Sequence, residues 1–299
     1  MKRIILLTLA ALTLLNAPLA RAWTYKNGDL LLVFRKGSVN VEFDLGSVNS
    51  YLGQPNGYTT PVSGWDLNYL TNAIGSLTDP NSPTEVVLLA AGGTTNWLSS
   101  AEPNTTAYQG SSQESSGLNG DISAVGARPV IYNVPSNSPN AYVIDTGGQY
   151  ALASYDITVT GGGSALKFVG QLGGDAPFTV QQSIPGFLDF WQVGTTTVYP
   201  NPPADKLIGT FTIDTNGVLT FVAGPRPSTI TAYNYSGGVS HLKFTTTVGN
   251  TYNVAYTNQL GGAVATWPVD ATTVTGNGKV STINHTTAGN AEFYRIQTQ

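Results

Sequence analysis

The side chains in this sequence best suited to catalysis are carboxylates that stand near aromatic residues. Glycoside hydrolases use two carboxyl groups about 5–10 Å apart, one of which an apolar setting keeps protonated. The candidates are Asp66, Glu102, Asp156 and Asp189. No two of them form a recognisable pair, because Asp66 fits a helix start and Asp189 fits the outward position of an alternating strand. We therefore predict no catalytic residue.

Histidine and cysteine content limits nucleophilic chemistry. A serine nucleophile needs a positioned base, and His241 and His285 are the only histidines. We predict His241 at a strand start and His285 in a loop, both at the surface or partly packed. The chain has no G-x-S-x-G motif. It also has no cysteine, which excludes disulfides, zinc-thiolate and iron–sulfur sites and a cysteine nucleophile.

Two short polar segments carry oxygen ligands of the kind that calcium prefers. Asp214 and Asn216 form one, and Asn119 and Asp121 form the other. Neither segment is followed by the acidic residue that closes a calcium loop. Asn216 and the glycine after it are instead a strong hairpin signal, because both can adopt positive φ. We predict no metal and no cofactor.

Aromatic side chains suggest a different kind of site. Flat aromatic faces stack on sugar rings, while neighbouring amides and carboxylates bind the hydroxyl groups. The candidates are Trp65, Trp97, Trp191 and Tyr199, with Trp97 best placed because it precedes a long polar segment. The competing interpretation places the tryptophans in the core, which is the commoner location for large aromatic residues.

Composition narrows the class of partner. The chain has 299 residues and a net charge of −4, and only 10% of its residues are charged, against about 25% in ordinary soluble domains. Without a basic excess it lacks the electrostatic signature of binding to duplex nucleic acid or anionic membrane. The hydrophobic share of 41% is sufficient for a packed core.

The first residues predict export. Basic residues precede the apolar run 4–15, and Ala20 and Ala22 give the small-x-small pattern that signal peptidase recognises. The apolar run is shorter than the roughly 20 residues that cross a bilayer. We therefore predict a signal peptide at 1–22 and a mature chain that begins at Trp23 and does not span the membrane.

Strand patterns dominate the rest of the chain. Residues 30–34 form a continuous apolar run, which predicts a strand covered on both faces. In 39–45, Asn40 and Glu42 alternate with apolar residues, which predicts a half-buried strand. Further strands are predicted at 85–91, 128–133, 141–145, 151–160, 165–169, 178–182, 187–193, 207–214, 218–222, 229–235, 241–247, 251–257, 263–269, 279–284 and 292–297.

One helix is expected. Ser63 and Asp66 have capping-box spacing, the apolar residues that follow recur at helical intervals, and Gly75 ends the pattern. The segment 99–126 is rich in Ser, Gly, Asn and Thr, and we predict a long loop there.

The strand pattern predicts an all-β protein with one short helix and two domains. A larger β-sandwich or barrel-like domain spans 23–223, and 224–228 is a linker because it holds two prolines and a glycine. Short strands spaced by Gly and Asn then predict a small β-sandwich at 229–299.

Two parts of the sequence resemble known groups. Residues 28–35, 41–46 and 207–221 resemble the opening and the closing hairpin of exported bacterial β-proteins of the PEP-CTERM-associated type. That resemblance frames 25–223 and implies no catalytic residue. After residue 221 the sequence departs from that group. Residues 252–256, Trp267 and 292–296 resemble accessory modules of the fibronectin type III or immunoglobulin-like kind.

These observations favour an exported, non-catalytic extracellular or cell-surface β-protein with a structural, adhesive or envelope-interaction role. Carbohydrate binding through exposed aromatic residues is the alternative, and carboxylate-dependent glycoside hydrolysis is a second alternative. The expected partner is an extracellular polysaccharide or a cell-envelope component, and not a nucleic acid.

Overall fold

The computed structural model describes residue 23 and residues 25–101, 112–156, 182–193, 206–225, 228–246, 250–259, 267–276, 280–287 and 292–298. In this part of the chain the protein is all-β, which confirms the predicted fold class, and it contains two helices where one was expected. The predicted signal peptide 1–22, including Ala22 at its cleavage site, lies outside the described residues, as do the strand expected at 165–169 and all but the last residue of the strand expected at 178–182.

The elements fall into a larger sheet, two helices and two smaller sheets. The strands of the larger sheet are β1 (Asp29–Lys36), β2 (Val39–Ser47), β3 (Thr59–Pro61), β4 (Glu85–Gly92), β5 (Thr95–Ala101), β6 (Ala141–Asp145), β7 (Gln182–Ser183), β8 (Gly186–Val193), β9 (Lys206–Ile213) and β10 (Leu219–Ala223). The helices are α1 (Leu67–Ile74) and α2 (Ser112–Ile131). The smaller sheets contain β11 (Ile230–Ser236), β12 (Val239–Thr245), β13 (Thr251–Thr257), β14 (Val274–Thr275), β15 (Val280–Thr286) and β16 (Phe293–Thr298).

The larger sheet is antiparallel and curled. Nine strands follow the order β3-β10-β9-β8-β5-β4-β1-β2-β6, and β7 pairs with β4. Tyr51, just after β2, lies 5.2 Å from the ring of Phe211 on β9 and 5.1 Å from the ring of Phe221 on β10. Strands far apart in the sheet order therefore meet around one inner core.

Both faces of the sheet are buried at β1. On β1, Leu30, Leu32 and Phe34 face the inner core, while Leu31 and Val33 face an outer core on the opposite side. All five are inaccessible to solvent. The prediction that 30–34 is covered on both faces is therefore confirmed.

Helix α2 covers the outer face, and it occupies part of the predicted loop 99–126 and most of the predicted strand 128–133. Both predictions are wrong there. Leu118, Ile122 and Val125 recur at helical spacing and are buried in the outer core. Serines and glycines interrupt this apolar stripe, so the sequence pattern did not predict a helix here.

Helix α1 covers part of the inner core, where Leu70 is buried. The predicted helix is confirmed, but its start differs from the expected capping box. Asp66 is itself the cap, and its Oδ1 accepts the backbone N–H groups of Asn68 and Tyr69. Gly75 ends the helix with φ of 72°, a value that glycine adopts readily.

Strand β2 departs from the predicted half-buried pattern, because Asn40 and Glu42 are both fully buried. The segment 151–156 covers this face, with Tyr155 buried in the outer core. The strand predicted at 151–160 is wrong for its first residues, since Ala151–Ala153 form a turn of 3-10 helix; residues 157–160 lie outside the described residues.

The hairpin between β9 and β10 confirms the turn predicted at Asn216. Its loop runs from Asp214 to Val218, and Asp214 Oδ1 accepts the backbone N–H groups of Asn216 and Val218. Gly217 has φ of 77°, whereas Asn216 does not adopt a positive φ.

The smaller sheets have the strand orders β11-β12-β15 and β14-β13-β16. They share one core that includes Leu242, Phe244, Tyr252 and Val254. Of the predicted strand 263–269, residues 263–266 lie outside the described chain, and Val269 forms an isolated bridge with Ala255. The boundaries 23–223, 224–228 and 229–299 stay predictions.

Neither described helix combines the length and hydrophobicity that a membrane-spanning segment requires.

Candidate functional site

A groove of about 600 Å³ opens between α1, the segment 135–137 and β6. Helix α1 contributes Tyr69, Asn72 and Ala73, and β6 contributes Val143. The segment 135–137 closes the other side with a proline, a serine and an asparagine. No residue of this lining carries a charge at neutral pH.

The α1 wall is held in place by its cap and by the core beneath it. The Asp66 cap fixes the first turn, which places Tyr69 against the sheet. The Tyr69 ring lies edge-on to Phe43, with ring centroids 5.9 Å apart. Its hydroxyl donates to the carbonyl oxygen of Ala141, 3.4 Å away, at the start of β6. One tyrosine therefore joins both walls of the groove.

The opposite wall is held by side chains that bond to the backbone. The Ser136 hydroxyl donates to the carbonyl oxygen of Ala141 and accepts the backbone N–H of Ser138. The Asn140 amide donates to the carbonyl oxygens of Asp44 and Gly64. These bonds link the segment before β6 to β2 and to the residues that precede α1.

The exposed groups of the groove are neutral hydrogen-bonding groups and small apolar surfaces. Asn72 and Asn137 are exposed, and neither amide bonds to another part of the described chain. Each amide offers two donors and one acceptor oxygen. Ala73 and Val143 supply apolar surface between them. This combination suits a neutral ligand that carries hydroxyl groups on an apolar frame.

The four aromatic residues predicted to bind sugar do not line this groove. Trp65 stacks on Phe34 in the inner core at 5.7 Å and donates to the carbonyl oxygen of Val62. Trp97 is only 8% exposed in the same core. Trp191 packs against the outer core and donates to the Ser100 hydroxyl at 3.1 Å. Tyr199 lies outside the described residues.

A partly buried polar cluster, which we call the Asp156 cluster, contains Arg35, Asn40, Glu42, Glu85 and Asp156. Arg35 pairs with Glu85 at 3.1 Å and with Asp156. Glu42 Oε1 accepts the backbone N–H of Tyr155 at 2.8 Å. Burial raises the pKa of Glu42, the backbone N–H of Tyr155 opposes this rise and the charge of Asp156 adds to it, so that the pKa is about 8. At neutral pH Glu42 is therefore mainly protonated.

The Asp156 cluster places a neutral carboxyl group near an ionised one, as acid–base catalysis requires. However, Glu42 is inaccessible to solvent, and Asn40 and Arg35 engage both oxygens of Asp156. This arrangement suits a structural anchor, because a substrate would have to displace buried side chains. Sequence reasoning missed Glu42 because its alternation with apolar residues pointed to an exposed position.

The other predicted carboxylates do not pair with one another. Asp66 caps α1 at the surface. Asp189 is buried rather than outward, which corrects its predicted position, and it accepts the Thr210 hydroxyl at 2.8 Å. Glu102 lies outside the described residues.

The two segments considered as calcium sites, at Asp214 and at Asn119, have other roles. Asp214 Oδ1 is occupied by backbone N–H groups of its own turn. Asn119 donates to Asn96 Oδ1 at 3.0 Å. Burial raises the pKa of Asp121 to about 7. Within the described residues, no group of three or more His, Cys, Asp or Glu side chains could hold a metal ion.

The two histidines differ in environment. His241 is partly exposed on β12, where its Nδ1 lies 2.8 Å from Asn284 Oδ1. His285 lies on β15 and not in a loop, and it is buried. Its Nδ1 is 2.6 Å from Asp270 Oδ2, and its Nε2 is 3.1 Å from Glu292 Oε2.

His285 belongs to a hydrogen-bonded network between the two smaller sheets. The Tyr294 hydroxyl donates to Glu292 Oε2 at 3.0 Å and lies 2.7 Å from the Ser240 hydroxyl. The pKa of Asp270 is lowered, first by the backbone N–H of Thr272 and also by His285. Ser240 and Glu292 are buried, so this network joins the two sheets rather than presenting reactive groups to solvent.

Among these sites, the groove beside α1 presents to solvent two amides that bond to no other part of the described chain, whereas the Asp156 cluster and the His285 network bond mainly within themselves. No protein-family model, curated protein or solved structure matches the chain. The function is therefore argued from the residues themselves.

Proposed function

We propose that this chain is an exported, non-catalytic protein that binds a neutral carbohydrate in the groove beside α1. The observation that carries the proposal is the uncharged lining, in which Tyr69 and the amides of Asn72 and Asn137 surround small apolar surfaces. Sugars present hydroxyl groups around apolar C–H patches, and these are the two chemistries that the lining complements.

The absence of charge in the lining distinguishes between classes of ligand. An anionic ligand would be recognised by Arg or Lys, and a cationic one by carboxylates or an aromatic cage. A hydroxyl-rich neutral ligand needs neither, because amides and hydroxyl groups supply both donors and acceptors. An extracellular polysaccharide or a glycan of the cell envelope is the partner that fits this description.

Location outside the cell is supported by the signal-peptide pattern at 1–22 and by the resemblance of 28–35, 41–46 and 207–221 to exported β-proteins. The resemblance of 252–256 and 292–296 to accessory modules supports an adhesive role, in which the smaller sheets act as a spacer or attachment unit. Glycan binding in the groove would then supply the adhesion.

The binding test uses the exported chain on immobilised neutral glycans and in polysaccharide co-sedimentation. We expect Asn72→Ala and Asn137→Ala each to weaken binding about fivefold, the effect of losing a hydrogen bond worth about 1 kcal/mol. Asn68→Ala is the matched control, since Asn68 is exposed on the same helix but does not line the groove. Equal affinity in all four proteins would refute the groove as the binding site.

A turnover test addresses glycoside hydrolysis. We expect the exported chain to release no product from the glycans that it binds, because Glu42 is inaccessible to solvent and Asn40 and Arg35 engage both oxygens of Asp156. If the chain did form product, and if Glu42→Gln or Asp156→Asn abolished that activity without abolishing glycan binding, the protein would be a glycoside hydrolase and not a binding protein.

A further inference from the structure

Strand β11 is exposed along its whole length. All seven residues from Ile230 to Ser236 are exposed, with Tyr233 at 55% and Tyr235 at 54%. The strand pairs on one side with β12 and forms the edge of its sheet. Its other edge has no strand beside it among the described residues.

The turn after β11 determines which backbone groups face that open edge. Gly237 and Gly238 have φ of 59° and 78° and join Ser236 directly to its partner Val239, as in a two-residue hairpin. In such a hairpin the flanking pair exchanges both backbone hydrogen bonds, and the pattern alternates along the strand. The N–H and C=O groups of Tyr233 and Tyr235 therefore point away from β12.

Proteins usually protect sheet edges with short strands, proline or charge. Three other edges among the described sheets show those devices: β3 has three residues and ends in Pro61, β14 has two residues, and β16 carries Arg295. Strand β11 has seven residues, no proline and no side chain that is charged at neutral pH. The one shift in its pairing register with β12 lies at its start, between Ile230 and Ala232.

We propose that β11 pairs antiparallel with β11 of a second copy of this chain, about a two-fold axis that passes beside Asn234. In this register Tyr233 of each copy faces Tyr235 of the other. Each of these two pairs can exchange two backbone hydrogen bonds, since both residues direct their N–H and C=O groups outward. The two three-stranded sheets then become one continuous sheet of six strands.

The side chains of β11 suit pairing with themselves. A two-fold contact places a surface against its own copy, so a charged residue near the axis would meet a like charge. Residues 230–236 carry none. Tyr233 and Tyr235 lie on the same side of the strand, so the two cross-strand tyrosine pairs form one aromatic cluster that covers four exposed rings. A second copy therefore supplies a strand that brings no like charge to the axis and that directs the same backbone N–H and C=O groups outward.

The test measures self-association of the exported chain by sedimentation equilibrium over a wide concentration range. We expect the wild type to form dimers, and Asn234→Lys and Asn234→Glu each to raise the dimer dissociation constant about tenfold or more, because each places like charges at the axis. An equimolar mixture of the two variants is expected to recover dimers, since opposite charges then meet.

The control is Thr286→Lys, which adds the same charge to an exposed residue of β15, at the opposite edge of the same sheet. It is expected to dimerise like the wild type. A monomeric wild type at the highest concentration overturns the proposal. So does a mixture of the Asn234 variants that stays monomeric, or a loss of dimers with Thr286→Lys equal to the loss with Asn234→Lys. Circular dichroism establishes that each variant is folded.

Discussion

Asn40 and Asp156 exchange two hydrogen bonds. The Asn40 amide donates to Asp156 Oδ2 at 3.0 Å, and the Asp156 backbone N–H donates to Asn40 Oδ1 at 2.9 Å. This exchange joins β2 to the segment 151–156 and explains why a polar residue of β2 is fully buried. The segment that it holds in place also buries Tyr155 over the outer core.

We expect Asn40→Ala to lower the free energy of unfolding by about 2–3 kcal/mol, because it removes two hydrogen bonds and leaves a buried backbone donor without its acceptor. Urea denaturation measures the change. Asn49→Ala is the control, since Asn49 is exposed, and it should shift stability by less than about 0.5 kcal/mol. Similar effects of the two substitutions would contradict the anchoring role.

Glu42 makes stability depend on pH. Its pKa is about 8 in the folded protein, against an ordinary value of 4.5 for a glutamate side chain, so between these pH values the folded state keeps a proton that the unfolded state releases. Its contribution is fully present below pH 4.5 and declines as the pH rises through 8. We expect Glu42→Gln, which stays neutral, to remove this decline and to be more stable than the wild type at pH 9. Parallel stability–pH curves for the two proteins between pH 5 and 9 would contradict this assignment.

Two glycines of α2 should respond oppositely to alanine. A Cβ on Gly126 would lie 2.5 Å from ring atoms of Tyr25, whereas a Cβ on Gly120 would meet nothing within 4 Å. We expect Gly126→Ala to destabilise the protein by about 1–3 kcal/mol through overpacking. Gly120→Ala should stabilise it by about 0.5–1 kcal/mol, because alanine favours the helix.

Thermal or urea unfolding of both variants measures the two changes in stability. The packing of α2 on Tyr25 would be refuted if Gly126→Ala were as stable as Gly120→Ala. The same contact involves Trp23, whose indole N–H donates to the carbonyl oxygen of Gly126 at 2.7 Å.

His285 should contribute far more to stability than His241. Replacing His285 by Phe removes its contacts with Asp270 Oδ2 and Glu292 Oε2, and each buried polar group left without its partner costs about 1–3 kcal/mol. His241→Phe, at a partly exposed site on the neighbouring strand, should change stability by less than about 1 kcal/mol. Unfolding followed by tyrosine fluorescence measures both. Equal effects would show that the contacts of His285 with Asp270 and Glu292 contribute little.

Local sequence patterns were sufficient to predict several of the strands, turns and helices. The apolar run at 30–34 identified β1 as a strand buried on both faces, and the apolar spacing after Asp66 identified α1, because each pattern repeats with the period of its own structure. The turn at Asn216 also followed from local chemistry. Helix α2 did not, since serines and glycines interrupt its apolar stripe, and its stability depends on the sheet that Leu118 and Ile122 cover.

The candidate site was harder to predict from the sequence than the strands were. Asn72 and Asn137 are 65 positions apart in the chain, and ordinary asparagines have no motif that marks them as neighbours. Trp97, the preferred sugar-binding candidate, lies in the inner core. Which aromatic residues are buried depends on the direction in which the sheet curls, and no local pattern contains that information.

The amino-acid sequence by itself determined the all-β class, the positions of most described strands and the low charge, because backbone periodicity and composition are local properties. Only the tertiary structure decided that Glu42 and His285 are buried, that the groove beside α1 is neutral and open, and that β11 has a free edge. Burial and exposure depend on which distant segment covers a residue, and long-range packing alone establishes that.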